Sequence, residues 1–120
     1  MQVDGSGLSR YDYITPDAMV AVLRHVAGDE RLRDTYQSTL PIAGRDGTFE
    51  QRMKGTAAEG KAFVKSGSMT GVRAVAGYVR TADGQMAAFA IFANNFDNSS
   101  ATINAATDAI ILRLAAFRSR

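Results

Sequence analysis

Apolar residues along the chain change spacing twice, from a helical period to strand alternation and back again. Thr15 before Pro16 has the form of an N-cap and first-turn pair, after which Ala18, Met19, Val22, Leu23 and Val26 recur at helical spacing until Gly28. This predicts an amphipathic helix. Asp29 to Tyr36 carries a second short helix with Leu32 and Tyr36 on one face, and Leu40 is held extended because the ring of Pro41 crowds it. Thr48-Phe49-Glu50-Gln51 has capping-box spacing and predicts a short helix through about Met53, ended by Gly55. The stretch from Thr56 to Gly60 reads as loop. Ahead of all these, Asp4 to Arg10 (DGSGLSR) has neither a helical nor a strand period and reads as a structured loop.

From Ala62 the texture becomes that of a sheet. AFVKSGS, VRAVAGYVRT and QMAAFAIFANN predict three strands, with Ala82-Asp83-Gly84 turning between the last two as an antiparallel hairpin. In the middle strand Val72, Ala74, Ala76, Tyr78 and Arg80 alternate with Arg73, Val75, Gly77 and Val79, so both faces are largely apolar and both need cover. Asp97 to Ser100 offers N-caps for a last helix, in which Ile103, Ala106, Ile110, Leu114 and Phe117 mark one face up to about Arg118. That helix is the expected cover. The predicted fold class is α+β: helices, then an antiparallel three-stranded sheet, then a C-terminal packing helix.

Composition narrows this without changing it. A chain of 120 residues, 46% hydrophobic and 22% charged, can build one core and not two. Fourteen Lys and Arg against twelve Asp and Glu, interspersed along the chain, imply no nucleic-acid partner. With no cysteine there is no thiolate, disulfide or cysteine metal site, and the lone His25 makes no cluster, so no metal and no cofactor are expected. The longest apolar run, Met86 to Ala93, is too short for a transmembrane segment, and MQVDGSG lacks the basic and apolar regions of a signal peptide.

Two stretches carry candidate chemistry. Lys65-Ser66-Gly67, inside FVKSGSMTGV, puts a cation and the hydroxyls of Ser66 and Ser68 on a strand where Gly67 leaves room for another backbone. Such a strand suits a carboxylate, and the Ser68 backbone N–H could face a developing oxyanion. The plainer alternative is a strand end protected by an exposed lysine. In DGSGLSR, Ser6 offers a hydroxyl, Leu8 an apolar contact and Arg10 a planar fork, with a simple serine and glycine turn as the alternative. Arg45-Asp46-Gly47-Thr48 could form another polar loop near a site, with a turn leading to a helix N-terminus as the plainer reading.

The ordered set DGSGLSR, a Pro-initiated helix, STLPIAGRDGT, MKGTAAEG and VKSGSMTGV closing with AGYV resembles the C-terminal part of the peptidase family S13 D-alanyl-D-alanine carboxypeptidases and endopeptidases, the low-molecular-mass class C penicillin-binding proteins. The resemblance runs from about Asp4 to about Arg118. It implies part of a transpeptidase-like, serine β-lactamase-like domain that acts by acyl transfer through three motifs, S-x-x-K, S-x-N and K-[ST]-G. Lys65-Ser66-Gly67 matches the third, with serine where threonine is usual. By resemblance, Lys65 supplies charge near the transferred proton, Ser66 and Ser68 hold the terminal D-alanine carboxylate, and the Ser68 N–H forms half of an oxyanion hole. Ser6, Gly7, Leu8 and Arg10 match the loop beside the cleft, and Leu8 with Met69 lines the pocket for the stem-peptide side chain. The implied partners are a peptidoglycan stem peptide ending in D-Ala-D-Ala and, for the complete enzyme, β-lactams. The implied location is periplasmic or otherwise extracytoplasmic.

None of the eight serines has a lysine three positions on or an asparagine two positions on, so S-x-x-K and S-x-N are both absent from these residues and no nucleophile is identified. In the family both motifs lie upstream of DGSGLSR. The expectation is therefore a fragment, inactive alone, that needs the missing N-terminal half of its domain. The alternatives are a non-catalytic peptide- or D-alanine-binding module on the same scaffold and a small α+β interaction domain with coincidental matches.

Overall fold

The computed structural model describes residues 15–45, 47–69, 72–94 and 100–118, with backbone alone at 48, 68, 69, 72, 94 and 100. In chain order these form α1 (Pro16–Ala27), α2 (Glu30–Ser38), a short 3-10 turn (Gly47–Phe49), β1 (Ala62–Met69), β2 (Val72–Arg80), β3 (Met86–Asn94) and α3 (Ser100–Ala115). Thr15 caps α1 as its sequence predicts: its Oγ1 accepts the Ala18 N–H at 3.0 Å, and Pro16 follows where a missing N–H costs nothing. Asp29 caps α2 by accepting the Arg31 N–H at 2.9 Å.

The sheet has the order β1-β2-β3 and is antiparallel throughout. Thr81 closes the β2-β3 hairpin: its N–H donates to the Gln85 carbonyl at 2.7 Å, and its hydroxyl accepts the Gln85 N–H and donates to the Asp83 carboxylate. The turn is tied to the end of the last helix by the Ala82 N–H, which donates to the Phe117 carbonyl at 3.1 Å.

Both faces of β2 are covered, and the covers differ. On one face Val64, Val75, Val79 and Phe89 pack under Ile111 and Ala115 of α3 and under Ala43, Phe49, Met53 and Ala58 from the segment before β1. On the other, Tyr78 and Leu40 meet Leu23 of α1, flanked by Met19, Ala27, Phe63, Ala76, Met86 and Ala88. The C-terminal helix is thus one cover of two, and α1 supplies the second. Tyr78, 1% exposed, joins the layers: its hydroxyl donates to the Leu23 carbonyl at 2.6 Å, and its ring meets that of Tyr36 edge-on at 6.4 Å.

Two expectations are corrected. The capping-box spacing at Thr48 does not start an α-helix. The backbone makes the short 3-10 turn and then successive turns to Gly60, and Met53, where the predicted helix would end, adopts a φ of 61°, outside the right-handed helical region. On α3 the buried positions are Thr107, Ile111 and Ala115, whereas Ala106 and Ile110 of the helix and Phe117 just past its end face solvent, the last two 46% and 53% exposed. Small residues at 107 and 115 let the helix approach the sheet closely, and the run Ile110-Ile111-Leu112 made apolar periodicity alone ambiguous. The predicted N-caps at Asp97 to Ser99 lie outside the described residues.

Burial, with a smaller contribution from Tyr36, raises the Tyr78 hydroxyl above its ordinary value near 10. The folded state therefore keeps this proton where the unfolded chain releases it. The associated stability is complete below about pH 10 and is lost as pH climbs through the raised folded value. Urea midpoints are expected to fall above about pH 10 in the wild type and to fall less in Tyr78→Phe, which at neutral pH costs about 1 kcal/mol for the lost hydrogen bond. Parallel pH profiles would contradict this. A second expectation concerns β3, whose strand register turns the N–H and C=O groups of Met86, Ala88, Ala90, Phe92 and Asn94 away from β2. This edge has no charged residue and no proline, and no described strand pairs with it. Sedimentation of residues 1–120 should show association that rises with concentration; a monomer at high concentration would count against an open edge.

Candidate functional site

The site is built on the outer edge of β1, and strand parity decides what that edge presents. The Val64 N–H donates to the Pro41 carbonyl at 2.9 Å and the Ala62 carbonyl accepts the Ala43 N–H at 3.0 Å, so residues 62 and 64 point away from β2. Backbone direction alternates along a strand, which aims the N–H and C=O of Ser66 and Ser68 outward as well. Pro41 to Ala43 covers the edge only as far as Val64 through an isolated bridge between Ile42 and Phe63. Beyond it, no described segment pairs with Ser66 or Ser68. Among the described residues this leaves open the stretch where an acyl group's oxygen or an extended peptide can take a hydrogen bond.

Side chains straddle this edge. Lys65 pairs with Ala76 and shares the α1 side of the sheet; it is exposed, and its Nζ curls over the edge to donate to the Ser66 carbonyl at 2.5 Å. Ser66, half-buried, pairs with Val75 and takes the α3 side. Gly67 is exposed and has no atom within 4 Å of where a Cβ would stand, so the strand surface is open there. The backbones of Ser68 and Met69 continue β1 opposite Arg73 and Val72. Ser6, Gly7, Leu8 and Arg10 lie outside the described residues, as does Asp46. Among the described residues, no group of His, Asp and Glu is placed to hold a metal ion. A shallow depression lined by Arg24, Ala27, Gly28, Tyr78, Met86 and Ala88 lies at the opposite end of β2 and includes none of the candidate residues.

Two supports escaped the sequence reading. The first is Gly77, paired with Val64: a Cβ there would stand 2.0 Å from the Phe63 carbonyl oxygen, so β1 lies closer to β2 than any side chain at this position permits. The second is Arg52, whose guanidinium donates to both carboxylate oxygens of Asp108, at 2.5 and 3.4 Å, and stacks 4.2 Å from the Phe49 ring. This pins the turns before β1 onto α3. Glycine in AGYV hinted at a close approach; no local pattern linked residues as distant in sequence as Arg52 and Asp108.

An antiparallel sheet between helical layers, with K-S-G on an edge strand left open beyond its first turn of pairing, is the arrangement of a penicillin-binding-protein transpeptidase-like domain. Residues 1–116 match the D-Ala-D-Ala carboxypeptidase 3 (S13) family, and the chain belongs to that family. It is 43% identical over 119 residues to a D-alanyl-D-alanine carboxypeptidase of Actinomadura sp. (strain R39), covering 95% of this chain and 21% of that protein. It is 38% identical over 124 residues to penicillin-sensitive carboxypeptidase A of Dictyostelium discoideum, covering 97% and 23%. The crystal structure of penicillin binding protein 4 from Haemophilus influenzae superposes with a TM-score of 0.87 at 29% identity, over 98% of this chain and 28% of that one. The same protein has also been solved in complex with a novel β-lactam. The chain thus spans about a fifth of the length of the curated relatives it matches.

Gly77→Ala tests the support directly. The added methyl must push the Phe63 carbonyl away, and the expected loss is at least about 1–3 kcal/mol, the usual cost of overpacking, read as a lower urea midpoint. An unchanged midpoint would show that the two strands separate easily.

Proposed function

We propose that residues 1–120 form the C-terminal portion of one transpeptidase-like catalytic domain and supply the K-[ST]-G wall of its cleft. The reaction is hydrolysis of D-Ala-D-Ala stem peptides of peptidoglycan through an acyl-enzyme. The open outer edge of β1 at Ser66 and Ser68 is the observation that carries this reading. In it, a serine outside these residues attacks the carbonyl of the penultimate D-alanine. The tetrahedral oxygen takes a hydrogen bond from the Ser68 N–H. Lys65 holds positive charge beside the hydroxyl proton as it moves toward the departing amine, and Ser66 and Ser68 receive the terminal carboxylate. The bond to the last D-alanine breaks, D-alanine leaves with the proton, and water then hydrolyses the ester. β-Lactams acylate the same serine in the complete enzyme. On this reading Ser6, Gly7, Leu8 and Arg10 form the substrate-binding loop beside the cleft, and Leu8 with Met69 lines the side-chain pocket.

By themselves these residues carry binding groups and half of an oxyanion hole, so D-alanine release by the isolated chain should be undetectable. On this reading the complete protein works outside the cytoplasmic membrane, where a peptidoglycan substrate lies. Among the described residues no helix is long and apolar enough to cross a membrane.

A chimera tests the reading: residues 1–116 replace the matching segment of the Actinomadura carboxypeptidase, which keeps its own remaining chain. The chimera should be labelled by fluorescent penicillin and release D-alanine. Lys65→Ala within it should lower acylation by about a hundredfold or more, the scale of losing a positioned acid–base or oxyanion group. A folded, monodisperse chimera that takes no label, or a Lys65→Ala variant that reacts normally, would overturn the assignment.

A further inference from the structure

Arg73 is a strand residue near the β1 edge whose charge no other described residue engages. It stands in register with Ser68, two positions before Val75, which pairs with Ser66. Parity therefore puts Arg73 and Ser66 on the same face, as diagonal neighbours within reach of a long side chain. That face is opposite to the one that carries Lys65. Arg73 is half-buried, yet its guanidinium joins none of the ion pairs and side-chain hydrogen bonds among the described residues. The other half-buried arginines among the described residues, Arg33 and Arg52, are each paired with a carboxylate, Asp34 and Asp108 respectively. A partly desolvated guanidinium without a counter-charge holds an incompletely satisfied fork of donors, and the planar group that satisfies such a fork best is a carboxylate.

We propose that Arg73 binds the C-terminal carboxylate of the substrate together with the Ser66 hydroxyl. The proposal rests on the reading of the β1 edge given above and adds a specificity-determining residue to it. An extended residue spans roughly 3.5 Å. In the proposed pose a peptide whose scissile carbonyl meets the Ser68 N–H runs toward Ser66, which puts its terminal carboxylate one such step away, beside Ser66 and Arg73. The two cations are then divided by the strand: Lys65 on one face serves the proton, and Arg73 on the other selects a free carboxylate over an amide or ester. Arg73 is a binding residue and takes no part in bond making or breaking.

The test titrates 15N-labelled chain with N-acetyl-D-alanyl-D-alanine and, separately, with its C-terminal amide. The acid should shift the Ser66 and Ser68 backbone N–H signals and the Arg73 Nε–H signal; the amide should move the first two more weakly and leave Arg73 in place. Arg73→Gln should weaken the acid about tenfold, the scale of one charge-assisted hydrogen bond, while amide binding and the urea midpoint stay as in the wild type. Arg73→Lys should fall between the two, since it keeps the charge and loses the fork. If the acid shifts Ser66 and Ser68 but Arg73→Gln binds it equally well, the role of Arg73 is overturned and the strand-edge site stands. If neither ligand moves Ser66 or Ser68, the strand-edge site falls, and Arg73 with it.

Discussion

The close approach of β1 to β2 at Gly77 is the constraint on which the rest of the structure depends. With no side chain at that position, the Phe63 carbonyl occupies space a methyl would fill, and the pairing of Val64 with Gly77 holds the register of the whole β1-β2 ladder. A shift of one residue would move Lys65 to the face of Ser66 and turn the Ser66 and Ser68 N–H groups inward toward β2. The division of the edge into a lysine face, a hydroxyl face and a plane of backbone donors therefore follows from a packing contact that carries no functional group of its own.

Around this ladder the molecule separates rigidity from exposure. The first half of β1 is covered: Pro41 to Ala43 pairs with its outer edge, and Phe49, Met53 and Ala58 close over its inner face, tied to α3 by Arg52 and Asp108. Beyond it Lys65 and Gly67 are exposed and Ser66 is half-buried. A site that must admit a peptide backbone needs unpaired donors, and unpaired donors are tolerable only where solvent or substrate can reach them. Fixing one half of a strand while leaving the other half open meets both needs, because the anchored half determines where the open half points.

Tyr78 performs the corresponding task across the layers. It is a strand residue whose hydroxyl reaches a helix carbonyl and whose ring meets a second helix, so α1, α2 and the sheet share one buried contact. α2 buries none of its own residues and is located chiefly through this contact and its short link to α1. Among the described residues no strand pairs with the outer edge of β3, which is made of alanine, phenylalanine, isoleucine and methionine up to Asn94. Its apolar, uncharged character differs from that of the β1 edge, where Lys65 and the serines stand. One edge is suited to another strand, the other to a polar ligand.

Local pattern by itself determined the helices from Pro16 and Glu30, the three strands, the hairpin turn at Ala82 to Gly84, the need to cover both faces of β2, and the K-S-G motif with its family. Each depends on spacing or capping within a few residues. Only tertiary structure decided that α1 is the second cover, that Ile111 and Ala115 rather than Ile110 and Phe117 face the core, and that the capping-box spacing at Thr48 yields turns. The deciding forces there were close packing of small residues against a sheet and a positive φ at Met53, in the segment before β1. The site divides in the same way. Lys65, Ser66 and Gly67 were legible as residues, but their faces, the outward N–H groups and the nearness of Arg73 come from register, which links positions that no sequence period connects.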